Sequence, residues 1–325
     1  MKQVAEYKKN LFNLINEVIG KNCPDAVMLS GGIDSSSISY IAHEFNKNLV
    51  CVTVNTNNTE SPDLQFAKIV SKDLKIDRHI VAMLDEDELD QKIKTIVLTL
   101  ENFNIYWVSA ALVLFKGLEV AKKNGLKKIA TGEGADDLFG SFPVMLSWKD
   151  GDDSLKIFIE TRMKDIDIMT KRIADYLELE VVMPFHDKKI VELALGMPME
   201  FRTKENNDGT KITKYILRET FSEFLPESIV SRPQTMAFTG ASTLDVLLDK
   251  YKNYADIAIY KTKYKLNFSS SFECYLFDIL NNAGRYNPIA KGSKCLYCGS
   301  KLRAENSVHC TVCGTLQYAG EVLSF

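Results

Sequence analysis

The sequence predicts an α/β protein built on a doubly wound parallel sheet, with a largely helical C-terminal half and a small metal-binding ribbon at its end. Three observations carry this. Short β-branched apolar runs alternate with amphipathic stretches between residues 26 and 131, the strand–helix–strand order of a parallel sheet covered on both faces. Two glycine-rich segments, 30–35 and 131–140, each follow such a run, and open parallel sheets bind ligands at the carboxyl ends of their strands. Two Cys-x-x-Cys pairs lie close together near the C-terminus.

Leu11, Leu14, Ile15, Val18 and Ile19 recur at helical spacing with Lys and Glu between them, so the chain opens on an amphipathic helix. This stretch has neither the unbroken apolar core nor the small-residue cleavage site of a signal peptide. Nothing in the sequence approaches the roughly 18 consecutive apolar residues of a membrane span. A hydrophobic content of 46% is ordinary for a globular protein, and a net charge of −3 shows no overall basic surplus for nucleic acid. The expected location is the cytoplasm, with no membrane partner.

Ala26–Leu29 reads as a buried strand running into Ser-Gly-Gly, and residues 35–45 as a helix with Ile38, Ile41 and Phe45 on one face. Leu49–Val54 is a second strand, continuous and β-branched. Pro62 and Asp63 open a helix through Leu64, Ala67, Val70 and Leu74, since proline in a first turn gives up an N–H that has no partner there anyway. His79–Val81 is strand-like, 88–100 and 107–124 are helical, Gly125 is a left-handed cap, and Lys128–Thr131 is the next strand. Residues 155–285 look mostly helical, and the turn formers of Asn281–Ser293 make the best linker. Two units are expected, 1–285 and 291–325.

The first glycine-rich loop is Ser30-Gly31-Gly32-Ile33-Asp34-Ser35. Its glycines let backbone N–H groups approach an anion, and the following helix N-terminus adds about half a positive charge. Ser30, Ser35 and Ser36 can donate hydroxyl hydrogen bonds, and Asp34 can hold Mg²⁺ beside phosphates. The loop lacks the Gly-Lys-Ser/Thr of a Walker A motif and the GxGxxG of a dinucleotide fold. The second loop, Thr131-Gly132-Glu133-Gly134-Ala135-Asp136-Asp137-Leu138-Phe139-Gly140, again combines glycines for close approach with carboxylates.

The first loop resembles the pyrophosphate-binding loop of the N-type ATP-pyrophosphatases, which have an adenine-nucleotide α-hydrolase-like fold. The second is similar to the SGEGSDELFGG segment of the asparagine-synthetase branch. Further segments agree in order: Ser61-Pro62-Asp63, Pro184-Phe185-His186-Asp187 against PFLD, and Lys214-Tyr215-Ile216-Leu217-Arg218-Glu219 against K-x-I-L-R-E. The resemblance spans residues 20 to 245 and implies an ATP-dependent ligase that adenylates a carboxylate, forms AMP and pyrophosphate, and passes the acyl group to ammonia or another amine. It implies that Asp34 and Asp136 hold Mg²⁺, and that Ser30, Gly31, Gly32 and Ser35 grip the pyrophosphate of ATP. It further implies that Met28, Val54, Thr131 and Gly132 line the adenosine site, that Glu133 lies near the reacting acyl and amine groups, and that Lys214 stabilises developing charge.

Two departures bear on the acyl substrate. Where the family has E-x-R-x-P-F this chain has Glu180-Val181-Val182-Met183-Pro184-Phe185, and where it has R-x-K this chain has Arg232-Pro233-Gln234. Arg172, Lys211 or Arg232 are candidates to replace the missing cations. The chain begins Met1-Lys2 and enters the synthetase region at once, so it is expected to lack the family's glutaminase domain and to take its amine from ammonia, another amine or a separate glutaminase subunit.

Cys295, Cys298, Cys310 and Cys313 form two knuckles separated by eleven residues, with Gly299 and Gly314 just after them. Two such turns close a tetrahedron of thiolates on Zn²⁺, with an iron–sulfur centre as the alternative. Zinc is expected to be structural, because so short a ribbon folds only with metal, whose binding supplies on the order of 10–16 kcal/mol. His309 is expected to be a bystander. The ribbon could contact RNA or protein, and the runner-up function is a PP-loop RNA-modifying enzyme of the tRNA-thiolation type. Cys23, Cys51 and Cys274 are scattered, as reduced core cysteines are.

Overall fold

The computed structural model describes residues 2–56, 60–141, 145, 153–205, 210–289, 291–303, 309–318 and 321–322. Its centre is a five-stranded sheet of β1 (Ala26–Met28), β2 (Val50–Thr56), β3 (Arg78–Leu84), β4 (Lys128–Ala130) and β5 (Glu180–Val182). The order is β3-β2-β1-β4-β5 and every pairing is parallel. β1 therefore sits beside both β2 and β4, and the order reverses there. The crevice between β1 and β4 is the switch point at which such sheets bind ligands.

Seven helices place the site: α1 (Lys2–Asn22), α2 (Ile33–Phe45), α3 (Pro62–Asp73), α4 (Glu86–Leu100), α5 (Ile105–Lys123), α6 (Ala135–Leu138) and α7 (Asp153–Leu177). Their starts follow local chemistry. The Ser61 side chain accepts from Leu64 N, with Pro62 in the first turn of α3. Asp85 and Glu88 form a capping box on α4, and Asn104 accepts from Tyr106 N and Trp107 N to start α5. β5 and an antiparallel hairpin, Thr203–Glu205 with Lys211–Thr213, interrupt the stretch that the sequence predicts to be mostly helical. β1 and β4 are as short as β5 but are marked by the glycine-rich loops that follow them; β5 has no such mark, and β4 offers it a ladder.

Two hydrophobic cores flank the sheet. One joins α1 and α2 to Phe139, Phe185, Ile216 and Phe221. The other joins α4, α5 and the helix Ser271–Asn282 to Phe103 and to all four cysteines of the C-terminal pairs. Among the described residues no single helix is long and apolar enough to cross a membrane; α4 and α5 pass that test only together, bent by 110°.

Candidate active site

The β1–α2 turn forms a cradle. Gly31 has φ +72°, and a Cβ there would lie 2.5 Å from Ala67 N, so the position needs glycine for both conformation and space. Ser30 Oγ and Ser35 Oγ are 3.0 Å apart, Ser30 N donates to Ser35 Oγ at 3.1 Å, and Gly32 N donates to Ser30 Oγ at 3.3 Å. No side chain caps the first turn of α2, so its amides face the cradle with only their partial positive charge. Arg232 braces the turn from beneath. It donates to Ser30 O at 2.8 Å, pairs with Asp63 at 2.6 Å and lies 4.3 Å from the centroid of Phe66. Burial pushes the Asp63 carboxyl up to about 6, against the pull of Arg232.

The acid loop after β4 meets this cradle at Gly132, where a Cβ would lie 3.0 Å from Asp34 Cβ and 3.3 Å from Ser35 N. A side chain at Gly132 would therefore force the two loops apart. Into their junction comes Lys214, wholly buried, contacting Asp34 directly and Asp136 Oδ1 at 2.9 Å. Its backbone is left-handed, φ +56°, and its N–H donates to Phe139 O at 3.0 Å. A non-glycine residue in that region costs on the order of 1–3 kcal/mol, a strain found mostly at functional sites.

Two carboxylates share one ammonium here. Burial opposes the charge of Lys214, but Asp136 and Asp34 outweigh it and hold its pKa above the usual lysine value. Burial and the like charge of Asp136 push the Asp34 carboxyl up, with Lys214 pulling the other way. Asp34 Oδ1 is buried and has no hydrogen-bond partner among the described residues. A surplus carboxylate and an orphaned oxygen beside an anion cradle are the donor set that a hard divalent cation fits. Gln234 Nε2 donates to Asp136 Oδ1 at 2.8 Å, so the residue standing where the family has lysine still touches the acid cluster, as a neutral donor.

Glu133 is half-buried in the same loop. Burial, then Asp136, Asp137 and Asp34, push its carboxyl up to about 7. That places it where a group can take a proton near neutral pH. The loop is anchored at Asp137, which pairs with Arg162 of α7 at 2.9 Å, both side chains being nearly inaccessible. Sequence reasoning missed Arg162, because an arginine in a long helix carries no local signal of a buried partner.

The residues expected to line the adenosine site divide into two pairs. Met28 and Val54 meet over Gly117 of α5, where a Cβ would collide with the Met28 sulfur and approach Val54 Cγ2 to 3.3 Å. Thr131 and Gly132 lie at the end of β4, with Thr131 N donating to Val182 O at 3.0 Å and Thr131 Oγ1 buried without a partner. Among the described residues His186 Nε2 is likewise buried and unpartnered, 2.8 Å from where a Cβ on Gly134 would stand.

Of the candidate replacement cations, Arg232 is committed to Asp63 and the cradle, and Arg172 donates to Thr99 O and Leu100 O at the end of α4. Lys211 is exposed on the hairpin. Val182 is buried on β5.

The four C-terminal cysteines come together, their sulfurs all within 4.8 Å of one another. Cys295 and Cys313 are 3.6 Å apart, and Cys298 and Cys310 are 3.7 Å apart. A tetrahedral zinc ion with ~2.3 Å bonds sets its sulfurs about 3.8 Å apart, so the set fits such an ion. Gly299 and Gly314 have φ +70° and +73° after each knuckle. His309 is outside the cluster of ligand atoms, but it has its own partner, its Nδ1 lying 2.7 Å from Asp165 Oδ2.

The chain is similar to known proteins over most of its length. The asparagine synthase family model matches residues 21–157 and 147–267. A putative glutamine-hydrolyzing asparagine synthetase of Methanocaldococcus jannaschii is 26% identical over 268 residues, covering 70% of this chain and 48% of that protein. Asparagine synthetase B of Escherichia coli is 22% identical over 293 residues, covering 84% of this chain and 52% of that protein. A probable asparagine synthetase of Acanthamoeba polyphaga mimivirus is 27% identical over 299 residues, covering 86% and 53%. The chain thus spans about half the length of the curated relatives it matches. With loops, sheet order and family model in agreement over most of its length, the chain belongs to the asparagine synthase family.

Proposed function

We propose that this protein is an ATP-dependent synthetase that adenylates a carboxylate and transfers the acyl group to ammonia or another amine, giving an amide. The observation that carries this is the burial of Lys214 between Asp34 and Asp136, with Asp34 Oδ1 left over, beside an amide-lined cradle. In this reading the cradle of Ser30, Gly31, Gly32 and Ser35 binds the β and γ phosphates, and the Met28–Val54 and Thr131–Gly132 walls take the adenosine. Asp34 and Asp136 would hold Mg²⁺, which neutralises phosphate charge when bound. A substrate carboxylate oxygen attacks the α-phosphorus and pyrophosphate leaves; an amine then attacks the acyl carbon and AMP leaves. Lys214 faces charge that develops on the phosphoryl oxygens, a fixed cation in a water-poor site being among the larger catalytic contributions. Glu133, with its raised pKa, takes the proton that the attacking amine must lose. The four cysteines would hold structural Zn²⁺.

In this reading the acyl substrate is larger or less charged than aspartate. Arg232 is tied to Asp63 and the cradle, Arg162 to Asp137, and Val182 is apolar. Leaving one charge of a buried pair without its partner costs roughly 3–5 kcal/mol, enough to remove useful affinity for a small dianion. The test is AMP and pyrophosphate release with Mg²⁺-ATP against a panel of amino acids and larger carboxylates, with and without ammonium. ADP and phosphate as products would overturn the reading. Asparagine formed from aspartate and ammonium with a KM up to ~1 mM would overturn the substrate preference. Release driven by tRNA alone would transfer the assignment to RNA modification.

A further inference from the structure

The four-cysteine module does not hang from the body. Phe103 N donates to Val312 O at 2.8 Å, Asn102 Nδ2 to Thr311 O at 2.6 Å and Asn104 Nδ2 to Cys313 O at 3.0 Å. The α4–α5 turn thus grips the second knuckle directly. Beside this grip lies a set of charged side chains that the chemistry proposed above does not use. Asp165 of α7 is buried, and its two oxygens face two residues of the module: Arg303 Nη1 at 2.9 Å and His309 Nδ1 at 2.7 Å. The His309 ring stacks on Trp107 with centroids 4.9 Å apart, and the guanidinium of Arg162 lies 4.9 Å from the centroid of the same indole. Arg162 stands one helical turn before Asp165 on α7 and pairs with Asp137 of the acid loop at 2.9 Å.

We propose that the C-terminal four-cysteine module positions the acid loop, and that Asp165, Trp107 and Arg162 connect its docking to Asp137. The connection is contiguous and each link is short. The knuckle fixes His309 and Arg303; these fix Asp165 and the indole, and so the rotation of α7 and the direction of the Arg162 side chain. Arg162 then holds Asp137, whose neighbour Asp136 meets Lys214 beside the cradle. The Arg162–Asp137 pair is buried and tolerates little misplacement, because either charge left alone is costly. A loose module would therefore let the acid loop drift, and displacements of about 1 Å at a reacting centre can cost ~100-fold in rate. Asp165 and Arg162 are positioning residues in this account and touch no substrate.

The inference rests on the proposed function for what the acid loop does, so the decisive readout is taken without turnover. In the metal-loaded full chain, amide exchange is followed at Leu138, Phe139 and Ser141, whose N–H groups bond to Gly134, Ala135 and Asp136 carbonyls. Asp165→Ala should keep its metal and raise exchange at these amides ~10-fold or more, while amides of α1 and α2 stay unchanged. Asp165→Asn, which keeps an acceptor, should restore most of the protection. In turnover, Asp165→Ala should lower kcat by ~10–100-fold with the KM for ATP within about twofold. Unchanged exchange at all three amides in metal-loaded Asp165→Ala would overturn the proposal, as would an equal rise across α1 and α2. Should Asp165→Ala fail to fold, Arg303→Gln removes one of the two bonds and is judged by the same amides and the same controls. Absence of AMP formation in the wild-type chain would refute the function and leave the exchange result standing.

Discussion

Two short, glycine-punctuated regions of this molecule gather anionic groups, and they finish the task differently. At the C-terminus four sulfurs face one another with no cation among them from the described side chains, buried in a hydrophobic core that also holds Phe103 and Phe277. At the switch point Asp34 and Asp136 close on Lys214 but leave Asp34 Oδ1 without a partner and Glu133 near neutrality. A set whose ligands come wholly from the protein has no position left for a substrate and serves structure; a set that keeps an open position serves chemistry. The same contrast orders the energetics. The first region is expected to need an ion for its stability, whereas the second carries a buried ammonium as a resident cation.

The cysteine region gives the largest expected effect. Replacing Cys295 and Cys298 together by Ala should abolish zinc binding, measured by elemental analysis of the purified chain, and with it on the order of 10–16 kcal/mol of binding energy that stabilises the fold. Because these cysteines share a core with α4 and α5, the loss should lower the melting temperature of the whole chain. Iron in the wild-type protein, or zinc retained by the double variant, would break the comparison at its first term.

Lys214→Ala comes next. It leaves the half-buried carboxylates of Asp34 and Asp136 without their shared cation, which should destabilise the metal-free protein. Added Mg²⁺ should recover part of that stability, because a cation then fills the gap between the carboxylates. Turnover should fall far more than ATP affinity, since the role assigned to the ammonium is in the transition state. Equal losses in both would make Lys214 a plain phosphate contact.

Much of this contrast was legible from residue order, and the limit is physical. Asp34, Glu133 and Asp136 sit on loops whose glycines and carboxylates alternate within ten residues or fewer, so their meeting needs only that the two strands be neighbours. Lys214 is 180 residues from Asp34 along the chain, and the flanking motif rather than any periodicity marked it. The four cysteines were legible by spacing alone. Arg162 and Asp165 were not, and Arg232 was read as a substrate cation rather than the partner of Asp63, because nothing local separates a buried, paired charge from one on a solvated face. Asn104 was hidden for another reason: its side chain both starts α5 and holds Cys313 O, and a turn asparagine advertises only the first role. β5 escaped because, unlike the equally short β1 and β4, it is followed by no glycine-rich loop.

Asp34→Ala and Asp136→Ala test the open site at its proposed metal. Each should lower adenylation at least ~100-fold, in line with loss of a major electrostatic contribution. The effect should be monitored by pyrophosphate release at saturating Mg²⁺-ATP. Asp136→Asn should be milder than Asp136→Ala, because it keeps an oxygen for Lys214 and for Gln234 Nε2. A full rate in Asp34→Ala would place the metal elsewhere.

Glu133→Gln gives the smallest effect on stability and the sharpest view of how an open site stores unfavourable charge. The carboxyl is pushed from 4.5 up to about 7, first by burial and then by Asp136, Asp137 and Asp34. The folded chain therefore holds this proton more tightly than the unfolded chain does. Between pH 4.5 and about 7 the folded state binds more protons at this position, so its contribution to stability falls as pH rises and is fully unfavourable above about 7. Glutamine keeps the shape and removes the ionisation. In metal-free, nucleotide-free protein, Glu133→Gln should melt higher than wild type at pH 8, by on the order of 2 °C, and the difference should shrink toward zero as the pH is lowered to 4.5. The same substitution should slow amide formation, because the proton acceptor is gone. A stability difference independent of pH would show that Glu133 is not held neutral by its surroundings. Its negative charge would then be present before any cation arrives, and the comparison would change: the open site would resemble the cysteine cluster, an anionic cage that waits for its ion.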